Sequence, residues 1–178
     1  VGKTSLFKKI ISDEFSERNM STIGVDRTTL YSDIEIKIKD KTEKHNFEIH
    51  LYDSAGQEQF RSITKSFFKQ SDGILLLYDV TNVKSFENIK TWVSSIREEA
   101  SKDVVVYIVG NKIDNAKNRK VETEEGKELA EELGFPFMET SAKNNINVSE
   151  TFEDLVERID KIYGNIEQKP AKIYKAKN

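Results

Sequence analysis

The sequence predicts a three-layer α/β domain with a mostly parallel sheet. Two continuous apolar runs, "GILLLYDV" at 73–80 and "VVVYIVG" at 104–110, read as strands buried on both faces, which a parallel sheet covered by helices requires. The segments between and after them carry apolar residues at spacings of three and four, so strands alternate with amphipathic helices. A length of 178 residues fits one domain with a sizeable core.

Each element has its own signal. After "VGKTS", a helical stripe of Leu6, Phe7, Ile10 and Ile11 opens the chain and gives way to the polar stretch "SDEFSERNMST". "IEIKIK" at 34–39 alternates strictly, and Phe47, Ile49 and Leu51 alternate again after the polar interval "DKTEKH". The two runs therefore read as a half-exposed hairpin near a sheet edge. In "SFENIKTWVSSIREEA", Phe86, Ile89, Trp92, Val93 and Ile96 form one stripe, so Trp92 reads as a core wedge. Thr123 is the expected N-cap of a helix with Glu124 and Glu125 in its first turn and Gly134 at its end. A short strand, "FPFME", and a helix carrying Phe152, Leu155, Val156 and Ile159 complete the alternation. Residues 1–163 form the expected domain; 164–178, "GNIEQKPAKIYKAKN", has no helical period and is expected to be a flexible extension.

Composition excludes several classes of function. Lys and Arg total 28 against 31 Asp and Glu, a net charge of -3, so no global basic footprint points to nucleic acid. There is no cysteine, hence no disulfide, no thiolate nucleophile and no lipid attached through sulfur within this sequence. The apolar runs are only a strand long, and the default expectation is a cytoplasmic protein.

Three short motifs carry chemistry. Gly2, Lys3 and Thr4 match the end of G-x-x-x-x-G-K-[ST], a turn whose backbone N–H groups face a phosphate at a helix N-terminus. Lys3 would reach the outer phosphates, the Thr4 hydroxyl would meet Mg²⁺, and the backbone of Gly2 through Ser5 would face the anion. "GKT" by itself also fits an ordinary helix start. "DSAGQE" at 53–58 follows the second hairpin strand, and Asp53 there can hold Mg²⁺ directly or through water. Gly56 offers a backbone donor to a terminal phosphate, and Gln57 can orient a water for in-line attack. Asp-x-x-Gly by itself fits a surface turn more readily.

"GNKID" follows the strongest buried strand, and Asp114 can accept from the ring N–H and exocyclic amine of guanine, a donor pair that the adenine edge lacks. Lys112 would lay its stem along the base, and Asn111 would tie the loops together. In "ETSAK", after the next strand, the Ala142 N–H can meet the guanine carbonyl while Ser141 and Lys143 shape the loop. Three signals in this order, each after a strand, outweigh the reading of any one as a turn.

Together "GKTS", "TIGVD", "DSAGQE", "NKID" and "ETSAK" resemble the small GTPases of the Ras superfamily. "STIGVD", "YDSAGQEQFRSITKSFFKQSDGILLLYDVT", "SFENIKTW" and "NVSETFEDL" are similar to the Rab branch, and the resemblance runs to about Ile162. It implies a P-loop NTPase domain and a switch between GDP and GTP states that regulates vesicle traffic. It further implies slow hydrolysis of GTP with Mg²⁺, and Gln57 as the catalytic residue. Thr22 would close over Mg²⁺ beside Gly24, joining Thr4 and Asp53 as metal-binding residues. The implied partners are an exchange factor, a GTPase-activating protein, effectors at the switches and an endomembrane surface. The alternative is a Rab-like interaction module that binds nucleotide without hydrolysing it, or does not bind it.

The chain departs from that family at four places. Arg27 stands where Phe usually follows "IGVD", and Tyr52 where Trp usually precedes the aspartate, with Phe67 as third member of that effector-facing cluster. "IYKAKN" has none of the prenylated cysteines of the Rab branch, so membrane association is not explained by it. The strand and glycine ahead of the phosphate loop are also missing. The sequence therefore predicts an unfilled central strand position, an upstream segment that supplies it, and poor nucleotide binding by a chain starting at Val1.

Overall fold

A computed structural model describes residues 1–12, 25–38, 41–54, 66–163 and 171–176. In chain order they form α1 (Lys3–Ser12), β1 (Val25–Ile38), β2 (Lys41–Ser54), β3 (Gly73–Asp79), α2 (Val83–Glu99), β4 (Val105–Asn111), α3 (Thr123–Leu133), β5 (Phe137–Thr140), α4 (Val148–Tyr163) and β6 (Ala171–Ala176). The sheet order is β1-β2-β6-β3-β4-β5; only the β1–β2 pair is antiparallel. Helices cover both faces, giving the three-layer α/β architecture that the buried runs predict.

Period-two alternation within those runs divides the core. Leu75 and Leu77 of β3, with Val105, Tyr107 and Val109 of β4, join Leu6 of α1 and Leu155, Val156 and Ile159 of α4 on one face. Ile74, Leu76 and Tyr78, with Val106 and Ile108, join Ile89, Trp92 and Val93 of α2 and Leu129 of α3 on the other. Trp92 sits in this second layer, edge-on to Phe68 with ring centroids 6.4 Å apart.

Three details differ from expectation. The hairpin strands run into the polar interval, with Lys41 paired to Ile38 and His45 to Ile34. Ladder bonds are made by backbone, so polar residues extend a strand as well as apolar ones. The N-cap of α3 is Glu122, not Thr123: Glu122 N–H donates to the Glu125 carboxylate at 2.7 Å, forming a capping box, and the Thr123 hydroxyl is drawn away to Glu139 at 3.0 Å. Gly134 does close α3, in the left-handed region at φ 77°.

The third difference is β6. The sequence reading treats 164–178 as flexible and the central position as empty. In the structure, the backbone of Ala171–Ala176 lies in the middle of the sheet, parallel to β2 on one side and β3 on the other. A parallel neighbour needs a long crossover, and β6 is reached from β5 through α4. With β6 in place, the facing edges of β2 and β3 have a partner for their backbone groups.

Packing between α3 and the sheet sets a tight limit at Gly126. A Cβ there would lie 2.4 Å from Tyr78 Oη and 2.6 Å from Phe137 Cζ. Gly126→Val is therefore expected to cost about 1–3 kcal/mol by overpacking, more than the few tenths gained in helix propensity. Calorimetry would read this as a fall in Tm of about 2–4 °C per kcal/mol. An unchanged Tm would show that the Tyr78 seat is slack.

Candidate nucleotide site

Four strand ends and one helix start converge at the carboxyl edge of the sheet, where open α/β sheets bind ligands. The chain enters α1 through Gly2 at φ 83°, and a Cβ there would stand 2.7 Å from the Asn111 amide nitrogen. Only glycine satisfies both the conformation and the approach. Lys3 is buried at 7 % exposure in the first turn of α1. The Thr4 hydroxyl donates to Asp53 Oδ2 at 2.6 Å, joining the helix start to the end of β2.

Asn111, the last residue of β4, is the node of the site and is 1 % exposed. Its amide nitrogen donates to the Val1 carbonyl at 3.0 Å. Its oxygen accepts from the Thr140 hydroxyl at 3.1 Å and from Ala142 N–H at 3.3 Å. One side chain thus fixes the segment entering α1 against the loop that follows β5. Lys112 takes φ 73° as the chain leaves the sheet, and its ammonium reaches Asp79 Oδ2 at 2.6 Å.

Asp114 lies on the same loop, exposed, with Oδ1 accepting from the Ser141 hydroxyl at 2.6 Å. Ser141 in turn accepts Asn144 N–H at 3.0 Å and exchanges two backbone bonds with Ile146, so the loop that carries Asp114's partner is closed on itself. Ala142 is buried and Lys143 exposed.

The structure therefore brings Gly2, Lys3, Thr4, Ser5, Asp53, Asn111, Lys112, Asp114, Ser141, Ala142 and Lys143 to one edge. Thr22, Gly24, Gly56 and Gln57 lie outside the described residues. Two members of the constellation were not singled out from the sequence. Thr140 and Asp79 both end strands on this edge, the positional signal that picked out Asp53.

The donor set suits Mg²⁺. Among the described residues Asp53 Oδ1 is buried without a hydrogen-bond partner, beside a threonine hydroxyl 2.6 Å from the other oxygen. A hard cation that keeps waters and phosphate oxygens in its shell needs few protein ligands, and carboxylate and hydroxyl oxygens are of the right kind. No group of three His, Cys, Asp or Glu that could hold a metal occurs among the described residues.

A sequence model of the Ras family matches residues 1–161. The chain belongs to that family. Its relatives place it in the Rab-like branch. The chain is 40 % identical over 172 residues to "Ras-related protein Rab-3C" of Bos taurus, covering 96 % of this chain and 72 % of that one. It is also 40 % identical over 161 residues to "GTP-binding protein ypt2" of Schizosaccharomyces pombe, covering 90 % and 76 %. To "Ras-related protein Rab-10" of Caenorhabditis elegans it is 43 % identical over 159 residues, covering 89 % and 75 %.

In this Rab-like chain two of the aromatic residues singled out from the sequence meet. Tyr52 and Phe67 pack with ring centroids 5.2 Å apart, tilted by 44°. The β1–β2 register sets Arg27 opposite Tyr52.

Proposed function

We propose that this protein is a guanine-nucleotide switch that hydrolyses GTP slowly to GDP and phosphate. The observation that carries the reading is the Asn111 node, which joins the α1 entry, β4 and the loop after β5. A base loop tied in this way to a phosphate loop suits a nucleotide that spans both.

In this reading Lys3 and the backbone N–H groups of Gly2 through Ser5 hold the outer phosphates, and Gly56 adds a donor at the terminal one. Asp114 accepts from the guanine ring N–H and amine, and Ala142 N–H donates to the guanine carbonyl. When bound through Thr4, Thr22 and Asp53, Mg²⁺ supplies charge neutralisation at the β and γ phosphates. Thr22, followed two residues later by Gly24, would close over the nucleotide. Gln57 orients the attacking water, and no covalent intermediate forms on the protein.

The Rab-like branch supports a proposed role in vesicle traffic, with exchange factor, activating protein and effectors as partners at the switches. No helix among the described residues is long and apolar enough to cross a membrane, and the proposed attachment is peripheral, from the cytoplasmic side. Gln57→Leu in the full-length protein is expected to slow single-turnover GTP hydrolysis by at least about tenfold while leaving GDP affinity within about twofold. Equal rates would remove Gln57 from the mechanism. A wild-type protein that binds GTP and never releases phosphate, even with an activating partner, would make it a non-hydrolysing interaction module instead.

A further inference from the structure

The geometry points to Asp79, at the carboxyl end of β3, as the residue that positions Lys112 in the base site. This rests on the guanine-nucleotide reading above and adds a group which that reading does not use.

Asp79 is 6 % exposed and held from several directions. Its Oδ1 accepts from Thr81 N–H at 2.9 Å and from the Thr81 hydroxyl at 2.6 Å. Its own N–H donates to the Ser85 hydroxyl at 3.0 Å, and its carbonyl accepts from Asn82 N–H at 2.8 Å. Asn82 and Ser85 are the N-cap and third residue of α2, so the start of that helix fixes the Asp79 backbone while Thr81 holds its carboxylate. One oxygen, Oδ2, is left to meet Lys112, at 2.6 Å.

Lys112 is set up very differently. Its side chain is 43 % exposed and extends from a residue in the left-handed region, a conformation in which a non-glycine side chain needs outside support. Its Cε lies 3.6 Å from the place a Cβ on Gly2 would occupy. The stem is thus stretched from the base loop to Asp79, passing beside the entry to α1. A lysine stem anchored at its tip presents a fixed apolar strip with one side open to solvent. Left unanchored, the same stem would be ordered by the ligand, at an entropic cost to binding.

Burial pushes the Asp79 carboxyl upward, but the hydrogen bonds from Lys112 and Thr81 outweigh it and hold the group below the usual carboxylate range. Asp79 is therefore charged at neutral pH, where it meets the Lys112 ammonium.

The test is Asp79→Asn in the full-length protein loaded with N-methylanthraniloyl-GDP. Asparagine keeps an oxygen for Thr81 but turns an amide N–H₂ toward the ammonium, so it frees Lys112 while leaving the α2 cap in place. Nucleotide release is expected to accelerate about tenfold, the scale of one charge-assisted bond. In a Lys112→Ala background the Asp79→Asn change is expected to add nothing further. Wild-type release rates in Asp79→Asn, or effects that simply add, would overturn the proposal. The Lys112 ammonium protons, observed by NMR in nucleotide-free protein, give an independent reading. They are expected to exchange slowly in the wild type and fast in Asp79→Asn. If the wild type bound no guanine nucleotide, the functional reading would fall while this signal still judged the pair; an unchanged Lys112 signal would overturn the positioning role by itself.

Discussion

Deleting residues 171–178 from this chain is expected to abolish its cooperative unfolding transition. β6 faces β2 through five register pairs, from Ile49–Ala171 to Asp53–Lys175, and β3 through four, from Gly73–Ile173 to Leu76–Ala176. Removing it leaves two buried strand edges facing a gap. Each stranded backbone group costs about 1–3 kcal/mol when neither protein nor water replaces its partner. Even a few such groups, on the order of 10 kcal/mol together, match the roughly 5–15 kcal/mol that a domain of this size has to lose. Near-UV circular dichroism and urea titration of chains 1–178 and 1–170 would measure the effect. The expected result is a sharp transition for the longer chain and a broad or absent one for the shorter. Matching midpoints would show that β6 does not hold the centre of the sheet.

The reason β6 was hidden is physical. A central parallel strand ordinarily reads as a continuous apolar run, as β3 and β4 do, because helices cover both of its faces. "AKIYKA" places only Ile173 and Tyr174 between lysines, a pattern that composition assigns to an edge or a tail. Backbone pairing, which needs no particular side chain, is what places it. The hairpin ends were hidden for the same reason: Lys41 through His45 pair by backbone through a stretch that reads as polar turn. Where burial drives the structure, the sequence is legible. The stripes of α2 and α4 and the two faces of β3 and β4 all follow from apolar spacing.

The site divides along the same line. Asn111, Asp114 and Ser141 could be found because each is a polar residue released at the carboxyl end of a strand, and the structure joins Asn111 to Ala142 and Asp114 to Ser141. Asp79 meets the same criterion, yet it sits inside the run "GILLLYDV", where the apolar residues claim the reading. Its partner is 33 residues further along the chain, and only the parallel β3–β4 register, which sets Asp79 beside Asn111, brings Lys112 within reach.

Asp114→Asn is expected to reverse the base preference of the site. In the proposed complex the carboxylate accepts two hydrogen bonds from guanine, each charge-assisted and worth about 1.5–3 kcal/mol. Asparagine can keep the Ser141 bond, since its oxygen can accept that hydroxyl as Asp114 Oδ1 does at 2.6 Å. The other position then becomes an N–H₂ donor pointing at the guanine amine, so donor meets donor and that bond is lost, while the amide oxygen can still accept from the ring N–H. The penalty is about 1.5–3 kcal/mol for the lost bond, or about one to two decades in GTP affinity, and the facing donors add to it. Xanthine carries a carbonyl where guanine carries that amine, and the new donor suits it. XTP is therefore expected to bind the variant more tightly than GTP does. The loop itself is expected to hold, because the Ser141–Ile146 backbone pair and the Ala142–Asn111 bond do not involve Asp114. Competition of GTP and XTP against a fluorescent nucleotide, run on the wild type and the variant, measures the exchange. A variant that still prefers GTP over XTP by the wild-type ratio would take Asp114 out of base recognition, and with it the donor-count argument for guanine.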